Sequence, residues 1–471
     1  MSPVGGAGPA TTSVASRLTR ARTASQHVHV SLQPLLFPMN IRSRFLFGAA
    51  SLFFALGAPV RAADASPAAS SAEFATAARL QIPATDEGLP GAGAIRRYDW
   101  FQKLWLERRT AWAGQVQQDQ GAVVFLGDSI TQGWSDVGSS FPGLKVANRG
   151  ISGDTTRGVL IRLQDDVIAL HPRGVVLLIG TNDLEEWTSP EDAAGNVKLI
   201  LAALRAYDPD MPVILCKVFP SSQTMRRPVN QIKKLNQLYF EAIKDQPQVT
   251  MLDTWTLFAD VHGDARADEF PDLLHPNTAG YARWAAALRP VMETVGLLPV
   301  WPDDFQPEPG FVSLFNGRDL AGWSYETDGN LDGKPATTDG RYRAVNGRLV
   351  VTVAHTQRDY KELRTTRTFP RDFVLKLEFR ASPNANSGVY IRGPQLQCRD
   401  YLLAGPYANL KKYRPLDWNE LVVTVKGGLA HATCNGEVLV DAMLVPADGP
   451  IGLESDRGQM EYRRIRVREL P

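Results

Sequence analysis

The chain holds only three cysteines, Cys216, Cys398 and Cys434, among its 471 residues. A disulfide-built scaffold is therefore excluded, and no Cys/His cluster has the spacing of a structural zinc site. Charge of one sign is also scarce. The formal net charge is +1, which gives no reason to expect a nucleic-acid partner. Long hydrophobic runs are missing beyond residue 63, and no stretch there approaches the eighteen apolar residues of a membrane span. Helical pattern is missing as well after about residue 297, where only short strand-like runs remain.

The near-zero charge hides an uneven distribution. Residues 1–63 contain Arg17, Arg20, Arg22, Arg42, Arg44 and Arg61 but no lysine, aspartate or glutamate, so the rest of the chain is mildly acidic. Met39-Asn40-Ile41-Arg42-Ser43-Arg44 forms a basic start, Phe45 to Leu56 is an apolar run, and Val60-Arg61-Ala62-Ala63 offers a small-residue cleavage site. That order predicts a secretory leader over 1–63, with Met39 an alternative start, and a secreted or periplasmic mature chain with no membrane span. An uncleaved anchor and a buried helix are the competing readings. Residues 64–92 are rich in Ala, Ser and Pro and read as a linker.

Helices and apolar strands then alternate. An aromatic helix starts at Tyr98, and Val123 to Leu126, Val175 to Ile179, Val213 to Val218 and Val249 to Leu252 read as buried strands. Helical patterns lie between them, and Tyr281 to Val295 closes the series. Continuous apolar strands separated by helices predict a parallel sheet covered on both faces over residues 93–297. Leu298 to Gly310 contains four prolines, so 298–309 reads as a second linker. Over 310–471 short alternating strands such as Phe373 to Phe379, with turns at Gly427-Gly428 and Asn435-Gly436, predict an all-β sandwich. Cys216 sits in a strand pattern as a core thiol, whereas Cys398 and Cys434 share the sandwich and are free to pair in an oxidising compartment.

Four short stretches carry chemistry. Gly127-Asp128-Ser129 follows the first strand, where ligands bind in open α/β sheets. Asp128 or Ser129 as a simple helix cap is the competing reading. Asn148-Arg149-Gly150-Ile151-Ser152-Gly153-Asp154-Thr155-Thr156 puts glycines before a helix, which suits an anion or merely a turn. Gly180-Thr181-Asn182-Asp183 ends the second strand, so the Asn182 amide faces the crevice of Ser129 or else only finishes the strand. Asp272-Leu273-Leu274-His275 brings a carboxylate and an imidazole onto one loop before a helix that Asn277 caps. Of five histidines beyond the leader, His171 lies at the wrong end of the sheet and His355 and His431 in the sandwich. His262 lacks an acid at matching spacing. His275 is therefore the histidine best placed to act as base, with Asp272 to fix its tautomer and a serine to yield it a proton. Trp134, Trp187 and Trp255 follow strand ends or nearby loops and can floor a sugar or acyl site or pack at its rim; Asp128 and Asp183 are further candidates to line it.

In this order the four stretches resemble the SGNH, or GDSL-like, hydrolases over residues 95–297, most closely the branch of the platelet-activating-factor acetylhydrolase catalytic subunits. The resemblance implies a flavodoxin-like three-layer α/β/α domain with a parallel sheet. It implies Ser129, His275 and Asp272 as catalytic residues and an oxyanion hole of the Ser129 and Gly153 amides plus the Asn182 side chain. It requires no metal and no organic cofactor. Residues 311–470 resemble the 3-keto-disaccharide hydrolase family, a concanavalin-like jelly-roll sandwich. The resemblance rests on Phe311 to Leu320 with Gly322-Trp323, Asn386-Ser387-Gly388-Val389-Tyr390-Ile391-Arg392, Asp417-Trp418-Asn419-Glu420 and Gly449-Pro450-Ile451-Gly452-Leu453. That family usually carries Gly-x-Glu-x-Gln where this chain has Gly393-Pro394-Gln395-Leu396-Gln397, which favours sugar binding over catalysis in the sandwich.

These expectations combine into an exported serine esterase that removes acyl groups, foremost O-acetyl, from carbohydrate, with a sugar-binding sandwich. The alternatives are a lipid esterase or lysophospholipase, a bifunctional enzyme whose sandwich hydrolyses 3-keto-glycosides, and a glycan-binding protein with a vestigial esterase. The expected partner is an acylated glycan or another small ester, with no nucleic acid involved.

Overall fold

A computed structural model describes residues 78–300, 303–352, 360–400 and 406–471. The expected leader and the first part of the expected linker lie outside the described residues.

The first domain is built on a five-stranded parallel sheet in the order β2-β1-β3-β4-β5. Its strands are β1 (Val123–Gly127), β2 (Val146–Gly150), β3 (Gly174–Leu178), β4 (Val213–Cys216) and β5 (Val249–Leu252). Successive side chains alternate between two apolar layers. Val124, Leu126, Val175, Leu177, Val213 and Leu215 face one layer, and Val123, Phe125, Val176, Leu178, Ile214 and Cys216 the other. Burial on both faces explains why these strands read as unbroken apolar runs. The helices are α1 (Asp99–Ala113), α2 (Ser129–Gly133), α3 (Thr156–Asp166), α4 (Thr181–Glu185), α5 (Pro190–Tyr207), α6 (Val229–Ala242) and α7 (Thr278–Thr294), with shorter turns between. Val159 and Leu163 of α3, Ile200 and Leu204 of α5 and Ile232 and Leu235 of α6 close the first layer; Trp284, Leu288 and Val291 of α7 close the second. The caps follow the sequence. Thr155 accepts from Gly158 N and Asn277 from Gly280 N, each satisfying an orphan donor of its helix.

β2 is an addition to the sequence expectation, which named no strand in the stretch Asn148 to Thr156. Its polar residues hid it, because Arg149 is 2% exposed yet paired with Asp119 and the Asp166 carbonyl. The described part of the first expected linker is docked rather than free. Arg157 binds Asp86 and the carbonyls of Pro90 and Gly93, and Asn196 binds both backbone groups of Ala92.

The second domain is an antiparallel sandwich of an eight-stranded and a six-stranded sheet. The first runs β17-β16-β15-β12-β19-β10-β9, with β6 also paired to β19. These are β6 (Val312–Ser313), β9 (Tyr342–Val345), β10 (Arg348–Thr352), β12 (Phe373–Ala381), β15 (Asn419–Lys426), β16 (Leu429–Cys434), β17 (Glu437–Leu444) and β19 (Gln459–Glu469). The other runs β14-β13-β18-β11-β7-β8, from β7 (Trp323–Tyr325), β8 (Gly329–Asn330), β11 (Lys361–Thr365), β13 (Asn386–Ile391), β14 (Gln395–Arg399) and β18 (Ile451–Ser455). Phe373, Leu375, Leu377 and Phe379 point inward in alternation, as their spacing requires. Cys398 and Cys434 are buried free thiols in this core, so the pairing left open by the sequence is not made. Burial pushes both thiols up to about 12. The described part of the proline-rich segment straps onto the sandwich through Asp303 to Arg464 and Glu308 to Arg466.

The two domains meet through buried charge. Glu293, in the last turn of α7, accepts from Arg348 at 2.9 Å and Arg380 at 2.8 Å, and both arginines also bind Glu461. Gln459 Nε2 donates to Thr294 Oγ1, Asn384 donates to Asp253, and Leu416 enters the α7-side apolar layer.

Candidate active site

Ser129 stands at the first position of α2, directly beyond the carboxyl end of β1. Its Oγ lies 2.8 Å from His275 Nε2, and His275 Nδ1 lies 2.6 Å from Asp272 Oδ2. Asp272 Oδ1 also accepts from the backbone N–H groups of Leu274 and His275. One carboxylate thus orders both the loop and the ring. Burial raises the Asp272 carboxyl, but these bonds from His275 and Leu274 outweigh it and hold the group below its ordinary value. Leu273 adopts φ +60°, a strained setting for a residue with a branched side chain. Its carbonyl accepts from Ser221 Oγ, which anchors the bend that turns Asp272 and His275 to one side.

Asn182 is buried in α4. Its Nδ2 donates to the Asp154 carbonyl, while its Oδ1 accepts from Arg227 Nη2 at 2.9 Å. Arg227 fixes which way the amide faces, and the second Nδ2 hydrogen stays available for a ligand. Gly153 has φ +88°, and a Cβ there would come within 2.7 Å of Trp100 and 2.8 Å of Arg96. Only glycine fits this β2–α3 bend.

Three expected lining residues are structural instead. Trp134 is 2% exposed and packs against Trp284 and Tyr281. It is core because α2 ends there and turns the indole inward. Asp183 is fully buried and accepts from Thr156 N and Oγ1, stapling α4 to the start of α3. Asp128 is 1% exposed and caps α2 through Ile130 N. The capping alternative therefore holds for Asp128. Burial pushes the Asp128 carboxyl up to about 7 and Asp183 to about 6. Asp154 also rises to about 6 by burial, against the pull of its ion pair with Arg162. Trp255 is partly buried beside Lys233. Trp187 is 80% exposed and does reach an open cleft.

Residues 125–283 match the model of the GDSL-like Lipase/Acylhydrolase family, and residues 310–468 that of the 3-keto-alpha-glucoside-1,2-lyase-like domain. The chain carries a GDSL-like acylhydrolase domain. The acylhydrolase domain accounts for the similarity to human platelet-activating factor acetylhydrolase IB subunit alpha2, 27% identical over 43% of this chain and 88% of that protein. A GDSL-like lipase from Bacteroides thetaiotaomicron is 27% identical, with TM-score 0.35, covering 41% of this chain and 97% of the other. An acetyl xylan esterase from Geobacillus stearothermophilus is 21% identical, with TM-score 0.31, covering 39% and 99%. The match to the acylhydrolase family supports an ester hydrolase activity for this domain.

Sequence reasoning missed Arg227, Ser221 and the strain at Leu273. An isolated arginine carries no motif, and a positive φ at leucine leaves no compositional trace. The sandwich holds a second polar cluster on the outer face of its six-stranded sheet. Glu454 is 7% exposed and accepts from the Tyr390 hydroxyl, directly opposite Glu362 of β11 in the ladder. Burial, then the Asp456 carboxylate, raise its carboxyl above the ordinary value.

Proposed function

We propose that this protein is an exported carbohydrate esterase in which Ser129 is the nucleophile. The observation that carries the reading is the continuous Ser129–His275–Asp272 hydrogen-bonded chain, with Gly153 and Asn182 following β2 and β3, the two strands that flank β1. Ser129 Oγ attacks the ester carbonyl as His275 Nε2 takes its proton. The oxyanion is held by the Ser129 and Gly153 N–H groups and Asn182 Nδ2, and its collapse expels the sugar alkoxide, which receives the proton from His275. Water activated by His275 then cleaves the acyl-enzyme and restores Ser129. Asp272 keeps the ring in the required tautomer and stabilises its cation. The basic, apolar, small-residue order of 1–63 supports export, and a sugar-family sandwich joined to the esterase supports an acylated glycan, O-acetyl foremost.

Treatment with a fluorophosphonate tests the nucleophile. The expected result is one adduct on the peptide containing Ser129, absent from Ser129→Ala and strongly slowed in His275→Ala. An adduct that persists in Ser129→Ala contradicts the assignment.

The sandwich is read as a sugar-binding module. A second reading, hydrolysis of 3-keto-glycosides, is favoured by one feature: a raised carboxyl at Glu454 next to Glu362 offers an acid and a base. Cleavage of a 3-keto-disaccharide by Ser129→Ala protein, lost in Glu454→Gln, establishes the second reading; no cleavage leaves binding.

A further inference from the structure

We infer that a cleft of about 260 Å³ beside Gly153 is the saccharide subsite that holds the alcohol part of the ester, an inference that rests on the carbohydrate reading above. Arg96, Tyr98, Trp100, Glu185, Glu186, Trp187 and Arg226 line it. Its position follows from two contacts. Trp100 and Arg96 are the groups that a Cβ on Gly153 would strike. Glu185 closes the short α4 that begins with Thr181 and Asn182, and Arg227 binds Asn182 and Glu185 together. The cleft therefore lies beside Gly153 and at the end of the helix that carries Asn182, two of the proposed oxyanion donors.

Its chemistry selects the ligand. Tyr98, Trp100 and Trp187 are 53%, 52% and 80% exposed, an arrangement that water penalises unless a ligand covers it. The first two rings stack at 6.4 Å and 13°, forming a continuous aromatic surface. Trp187 is held outward at φ +61°, a backbone setting that costs energy for an indole-bearing residue and is a mark of functional sites. Between the rings, Arg96 binds Glu185 and Glu186, and the Tyr98 hydroxyl donates to Glu186. Arg226 is exposed and has no ion pair among the described residues.

Two arginines and two glutamates leave the cleft without net charge, which favours neither an anionic phosphate ester nor a cationic headgroup. An acyl chain placed here would desolvate Arg226 and the exposed edges of the Arg96–Glu185 and Arg96–Glu186 pairs without offering them a hydrogen bond. A neutral pyranose or furanose meets both demands: its C–H face lies on an aromatic ring, and its hydroxyls donate to Glu185 and Glu186 and accept from Arg226. Several rings offer room for more than one sugar unit.

The test compares two acetate esters, acetylated xylotetraose and p-nitrophenyl acetate, with the full chain and with Trp187→Ala, Trp100→Ala and Glu186→Gln. Trp187→Ala is the cleanest variant, since its side chain is almost wholly in solvent and its loss does not threaten folding. The expected result is a fall of tenfold or more in the ratio of kcat/KM for the oligosaccharide to kcat/KM for the phenyl ester, carried mainly by KM. A ratio within twofold of wild type in all three variants overturns the subsite while leaving the carbohydrate reading intact. Ser129-dependent cleavage of the phenyl ester with no acetate from any acetylated sugar overturns the carbohydrate reading and the subsite together.

Discussion

The smallest consequential feature of this protein is the orientation of one amide. Asn182 can flip freely in isolation, yet Arg227 donates to its oxygen and the Asp154 carbonyl accepts from its nitrogen, so one N–H is aimed and held. A donor preset toward a developing oxyanion is worth about 3 kcal/mol of barrier. Asn182→Ala is therefore expected to lower kcat by roughly 10²–10³ with a much smaller change in KM, measured by steady-state acetate release. Buried carboxyls predict a second residue-scale effect. Asp128, Asp154 and Asp183 have ordinary values of 3.8 unfolded and about 7, 6 and 6 folded. The native state then binds more protons between those values, and their contribution to stability is lost as pH rises through 6 to 7. Carboxyls held low, such as Asp272 and Asp253, are ionised in both states well below that window and do not mask it. Thermal unfolding should show a midpoint that falls from pH 5.5 to 8, and a flatter profile in Asp128→Asn. Equal slopes in the two proteins contradict the assignment.

At the scale of elements, residue pattern and structure agree where burial is simple. β1, β3, β4 and β5 are apolar because both sheet faces are covered, and α3, α5 and α7 carry recognisable caps, so the parallel sheet and the order of its motif-bearing loops were legible. β2 was not, because its buried Arg149 is paid for by partners distant in the chain. The same limit applied in the site. Ser129, Asn182, Asp272 and His275 follow strand ends or share a loop, so local order exposed them. Trp134, Asp128 and Asp183 sit in identical local settings but turn inward, and only tertiary packing separates them from Trp187. The join between domains is an element-scale feature that a single substitution probes. Glu293→Ala removes one acceptor from Arg348 and Arg380 but leaves Glu461 to hold them. The expected loss is about 1–3 kcal/mol, smaller than for a buried charge left without any partner, read from urea unfolding of the full chain. No change in midpoint would mean that the pair does not hold the domains.

For the whole molecule, these contacts tie two polar sites together: the cleft beside Gly153 and the outer face bearing Glu454 belong to domains joined by ion pairs and by Leu416. A sandwich that binds glycan can then present acyl groups to the esterase without a flexible search. No helix among the described residues is long and apolar enough to cross a membrane. The most direct test of the central claim is acetate release from acetylated xylo-oligosaccharides by the protein lacking residues 1–63, compared with its Ser129→Ala form. The predicted result is steady release that falls by roughly 10⁴-fold or more in the variant. Release that survives the substitution contradicts Ser129 as the nucleophile, and no release from either form contradicts acetylated carbohydrate as the substrate.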